Sequence, residues 1–113
     1  MSAARTEAAL WVAQRVTAVL LAGFVLVHLA TMIYAVRGGL TAQAMLERTH
    51  SNPAWPAFYA LFVLAAAIHG AIGLRTVAAE WLGWRGAGAN AAVAAVGLAL
   101  VALGLRAVWA VAA

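Results

Sequence analysis

Three long apolar runs constrain this chain more than any other feature. The first extends from Leu10 to Val36, and its polar positions are Gln14, Arg15, Thr17, His28 and Thr31. The second, Trp55 to Ala79, is broken by His69, Gly70, Gly73, Arg75 and Thr76. The third, Ala89 to Ala112, carries one charge, Arg106. A bilayer is crossed by about 20 residues of helix. Of the 113 residues 67% are hydrophobic and 9% charged, with mean hydropathy +0.98. Soluble domains carry about 25% charged residues, and so short a chain cannot hide that much apolar surface from water. The expected fold is therefore all-α, an integral membrane three-helix bundle. One transmembrane domain covers residues 1–113, with helices over 8–36, 55–81 and 89–112.

The punctuation fits this reading. Thr6 is placed to cap the first helix, with Glu7 in its first turn. Arg37-Gly38-Gly39 closes it, because glycine accepts the left-handed backbone of a helix end. The polar loop from Thr41 to Pro53 has room for a short interfacial helix over Thr41–Arg48. Pro53 and Pro56 stand before or within the first turn of the second helix, where proline is tolerated. Glu80, Trp81, Trp84 and Arg85 make an interface belt, and Gly86-Ala87-Gly88 makes the next turn. Ala94, Gly97, Val101 and Gly104 share a stripe that lets the third helix approach a neighbour closely.

The net charge is +4, and all seven basic residues are arginine. They sit singly at the edges of apolar runs, as cations at lipid headgroups do, and not on one nucleic-acid-binding face. Arg5, Arg15, Arg75 and Arg85 fall on one side, against Arg37, Arg48 and Arg106. This bias puts the N-terminus in the cytoplasm. The start of the chain is expected not to be a signal peptide, since its apolar run exceeds the usual length of about 7–15 residues. Cysteine is absent, which excludes disulfides, thiolate zinc, iron–sulfur ligation and covalently attached haem.

His28 and His69 carry the chemistry. An ionisable side chain at membrane depth is expensive and marks function by default. Zinc needs about four ligands, and a proton relay calls for carboxylates at depth that these helices lack. Haem needs only axial ligands and an apolar slot. Ala65, Ala66, Gly70 and Gly73, read as lying beside His69 on the same helical face, leave clearance for a flat macrocycle. His69 lies ~9 Å along its helix from Arg75, and His28 lies ~20 Å from Arg15. The two histidines therefore stand at different depths and suit two irons, each completed by another chain, better than one iron clamped between them. The bland alternative, histidines acting as hydrogen-bond links in a small structural or transport protein, stays open. His50, in the polar loop, reads as solvated.

Two motifs bear a family resemblance. Trp11-Val12-Ala13-Gln14-Arg15-Val16-Thr17 resembles the start of helix I in cytochrome b membrane anchors of succinate dehydrogenases and fumarate reductases, roughly [HQ]-R-x-[ST]-G. His69-Gly70-Ala71-Ile72-Gly73-Leu74-Arg75 resembles their helix-II signature H-x-x-x-G-[IL]-R. The likeness runs from Trp11 to Trp81. With Phe58-Tyr59 and both histidines it is closest to the di-haem types. Ala18, Trp11 and Thr76 depart from the pattern, at the glycine of the first motif, at a frequent polar position one turn before the arginine, and at a second histidine after G-[IL]-R.

The resemblance implies haem b, one or two per assembly, with His69 and His28 as axial iron ligands. It implies Arg15 and Arg75 at the haem propionates and Trp11 with Arg15 at a quinone. Glu80 would serve proton delivery or pair with Arg75 or Arg85. The implied partners are a flavoprotein subunit, an iron–sulfur subunit, and a second membrane anchor or second copy of this chain. The implied location is the bacterial cytoplasmic membrane. Succinate would be oxidised elsewhere in the complex, and this chain would pass electrons to quinone. Another b-type cytochrome, such as the b561 type, is the rival within haem proteins, although that type uses more helices and more histidines.

Overall fold

A computed structural model of the chain describes residues 2–39 and 41–112. It is all-α. The helices are α1 (Ala3–Arg37), α2 (Ala42–Ser51), α3 (Ala54–Trp81) and α4 (Ala87–Ala112). Three of them, α1, α3 and α4, are long and apolar enough to cross a membrane. In hydrocarbon every backbone N–H and C=O needs an internal partner, which a continuous helix supplies.

Helix ends differ in detail from the sequence expectation. Ser2, not Thr6, caps α1: its hydroxyl accepts from the Arg5 N–H at 3.2 Å. Thr6 falls inside the first turn and donates to the Ser2 carbonyl at 3.1 Å. Ala3 and Ala4 are strong helix formers, so the helix propagates back to the first residue with a capping hydroxyl. At 35 residues, α1 is ~50 Å long and overshoots an apolar core of about 30 Å. The interfacial helix also runs longer than expected, Ala42–Ser51, with Thr41 as its cap at 3.1 Å from the Ala44 N–H.

The α3–α4 break lies a few residues earlier than Gly86–Gly88. Gly83 and Gly86 take the left-handed backbone, at φ 65° and 97°, and Gly88 already belongs to α4. Between them the Trp84 N–H turns back to the Ala78 carbonyl at 2.9 Å.

The central element is α3. It packs against α1 on one side and α4 on the other, while no Cα of α1 comes within 8 Å of α4 among the described residues. What is buried is small: Ala35, Ala65, Ala67, Ala78 and Ala89, with Thr17 and Thr49. Large apolar side chains such as Leu26 and Leu98 point outward, as lipid allows. The stripe on α4 meets α3 as expected. A Cβ added to Gly97 would sit 3.2 Å from the Ala71 methyl, and one on Gly104 would collide with the Val63 side chain. On the other side, Phe24 of α1 packs edge-on to Phe58 at 5.2 Å and against Phe62 at 5.9 Å.

The Gly104 contact gives a direct test. Gly104→Leu should lower the unfolding free energy by about 1–3 kcal/mol, the usual cost of overpacking. Ala102→Leu, on the exposed side of α4, should be neutral. Thermal unfolding in detergent compares the two, and equal effects would remove the close α3–α4 contact.

Candidate functional site

Polar groups meet at two levels of the α1–α3 seam. At one level, Thr17 of α1 faces His69 of α3, with hydroxyl and Nδ1 3.2 Å apart. At the other, His28 of α1 faces Tyr59 of α3, again with Nδ1 3.2 Å from a hydroxyl. The helices run antiparallel. From Thr17 to His28 is ~16 Å along α1, and from His69 to Tyr59 is ~15 Å along α3. The two histidines therefore stand about half a bilayer apart in depth.

Each histidine is oriented by a hydroxyl from the other helix. The Thr17 hydroxyl lies 2.7 Å from the Ala13 carbonyl, a short bond that uses its single proton. Towards His69 it can then only accept, so Nδ1 carries the imidazole proton and Nε2 keeps its lone pair. Fixing one nitrogen in this way is how proteins present the other to a metal. The His28 ring is bracketed edge-on by Tyr59 and Phe62, with centroids at 5.7 and 6.0 Å. No protein group bonds Nε2 of either histidine among the described residues.

The surroundings of His69 are small, though not on one face. Gly70 looks towards Leu100 of α4, 3.8 Å from where its Cβ would be, whereas Gly73 looks towards the Gln14 amide of α1 at 3.6 Å. Both are ordinary contacts, so neither glycine is required by packing within this chain. Close by, Gln14 Oε1 is buried without a hydrogen-bond partner, an acceptor that stays costly until a donor reaches it.

Arg15 and Trp11 are one turn apart on α1, with the guanidinium 5.2 Å from the indole centroid. Arg75 is engaged differently. It bonds both Glu7 carboxylate oxygens, at 2.7 and 3.4 Å, and Asn90 Oδ1 at 3.0 Å. These bonds tie α1, α3 and α4 together at the Arg15 end. Glu7–Arg75 is the one ion pair among the described residues. Glu80, expected beside Arg75 or Arg85, is exposed and outside it, and His50 is exposed as well.

Around His28 all four helices line an apolar, partly open cavity of about 610 Å³, with Met32, Met45, Phe62 and Val108 among its walls. Gly104 lines it too, which gives this glycine a second role beside close packing. Arg48 of α2 also lines it, its guanidinium over the rings of Tyr34 at 5.9 Å and Trp55 at 5.7 Å. Sequence reasoning assigned no site role to Arg48, Thr17 or Tyr59. For Thr17 and Tyr59 a signal existed, since both fall within the motif stretches around the histidines. For Arg48 there was none, because its stacking depends on how α2 folds back.

Fold and site together define a polytopic membrane subunit built around two histidines, with no water-soluble catalytic domain among the described residues. Residues 1–107 match the family described as the transmembrane subunit of succinate dehydrogenase/fumarate reductase, and the chain belongs to that family. It is thus a membrane-anchor subunit of such complexes, whose catalytic subunits are its partners. Searches of curated proteins and of solved structures gave no match.

The Thr17–His69 bond has a spectroscopic consequence. A hydrogen bond worth about 1 kcal/mol biases the imidazole tautomers about fivefold. In the isolated chain, ¹⁵N shifts of His69 should report protonated Nδ1 in wild type and in Thr17→Ser. Thr17→Val should move the balance towards protonated Nε2. Identical shifts in all three would mean that the hydroxyl does not set the tautomer.

Proposed function

We propose that this anchor binds haem b through His69 Nε2, binds a second haem through His28 Nε2, and passes electrons between the catalytic subunits and membrane quinone. The observation that carries the reading is the shared placement of the two histidines. Both lie at membrane depth, each is bonded at Nδ1 alone, and the Nε2 atoms have no protein partner among the described residues.

The residues present fit such a group. His69 stands beside glycines that packing within the chain does not require, and His28 opens on an apolar cavity bounded by four helices. Haem, when bound, supplies a one-electron reservoir close to the quinone. A second anchor, either another polypeptide or a second copy of this chain, would complete the site at each histidine. The ~15 Å separation in depth along the helices supports a separate group at each histidine over one shared between them.

The other roles follow from position. Arg15 presents its cation beside the exposed Trp11 ring. It is suited to a quinone oxygen on which negative charge develops, or to a haem propionate. Trp11 walls that quinone site. Arg75 serves a propionate by exchanging its solvent-screened surface bond to Glu7. The N-terminus faces the cytoplasm of a bacterium, with flavoprotein and iron–sulfur subunits docked at the Arg15 end.

A second reading has the same geometry in its favour: histidines bonded across two helices are also plain hydrogen-bond links. Reduced-minus-oxidised spectra of the purified complex separate the two. Wild type should show b-type bands and co-purify a flavoprotein. His69→Ala and His28→Ala should each remove about half of the haem. A wild-type complex without b-type absorption would leave the histidines as links.

A further inference from the structure

The cavity beside His28 is almost wholly apolar, and its polar atoms are largely satisfied within the chain. The Thr31 hydroxyl donates to the Val27 carbonyl at 2.8 Å, and the Thr49 hydroxyl donates to the Met45 carbonyl at 2.6 Å. Tyr59 is engaged with His28. Arg48 is the exception. Its guanidinium meets two aromatic rings and no carboxylate or carbonyl among the described residues. The adjacent carboxylate, Glu47, bonds the Gln43 amide at 3.0 Å instead.

A half-buried cation near two aromatic rings is restrained in position while its N–H donors stay available to an anion. The anion it lacks is not supplied by this chain. Three features then converge on one cavity: the His28 imidazole in its wall, an apolar lining, and the Arg48 guanidinium contributed by α2. They match a ligand with a metal centre, an apolar body and a carboxylate edge.

We propose that Arg48 binds the carboxylate edge of the haem held at His28, in a charge-assisted and bidentate manner, with Tyr34 and Trp55 positioning the guanidinium. The inference rests on the haem reading of His28. It gives the α2 segment a task beyond connecting two spans, since α2 carries the cation that closes the cavity over its ligand.

The test uses the intact complex in detergent and follows transfer of haem to excess apomyoglobin. Comparison with His28→Ala identifies the haem that depends on His28. In Arg48→Gln that haem should leave about tenfold faster or more, as expected for loss of a charge-assisted bond. Arg48→Lys should fall between, because it keeps the charge and loses the bidentate fork. The His69-dependent haem should be unaffected. An unchanged transfer rate in Arg48→Gln overturns the proposal while leaving haem at His28 standing. A wild type without His28-dependent haem overturns both, and is seen before any change at Arg48. Native mass spectrometry covers the remaining source of an anion. An anionic phospholipid retained by wild type and lost in Arg48→Gln, with haem transfer unaltered, would assign the cation to lipid instead.

Discussion

Lipid offers no hydrophobic drive to bring one apolar helix against another, so helices in it associate through close packing and buried polar bonds. Everything in this structure depends on how α3 meets that constraint. Towards α4 it presents Val63, Ala67 and Ala71 to glycines whose missing side chains allow contact. Towards α1 it offers Tyr59 and His69, each bonded to a polar side chain of the opposite helix. At the Arg15 end Arg75 holds both neighbours at once through Glu7 and Asn90. Because no Cα of α1 comes within 8 Å of α4 among the described residues, space is left between them, and α2 folds back over one end of it. The cavity beside His28 is a consequence of that gap.

Much of this was legible in the sequence. Run length and the near absence of charge dictate three spanning helices, and the glycine stripe of α4 marks its contact face. The depth difference between the histidines followed from counting residues to Arg15 and Arg75, because helical rise is fixed. Less visible were features decided by side-chain reach across the fold. The partner of Arg75 is Glu7, at the far end of the sequence from it, and not the nearby Glu80; only the antiparallel register of α1 against α3 brings the two together. The same register pairs Thr17 with His69 and Tyr59 with His28. The cap of α1 moved from Thr6 to Ser2 because alanine at positions 3 and 4 favours extending the helix.

The reciprocal pairing links architecture to chemistry. One hydroxyl–imidazole bond at each level joins α1 to α3 and fixes the direction of a ring. The nitrogen used for cohesion is Nδ1, and under the proposed function Nε2 of each ring takes a ligand that another subunit completes. Family membership explains why: an anchor of succinate dehydrogenase/fumarate reductase works within an assembly, and the faces still exposed here are where other subunits and lipid meet it.

The central claim is that two Nε2 atoms, at two depths, each ligate iron. A cryo-electron microscopy map of the assembled complex tests it most directly. The expected result is planar density on Nε2 of His69 and of His28, with an edge of the second plane reaching Arg48. Density showing either Nε2 packed against protein or lipid, with no plane beside it, would contradict the claim at that level.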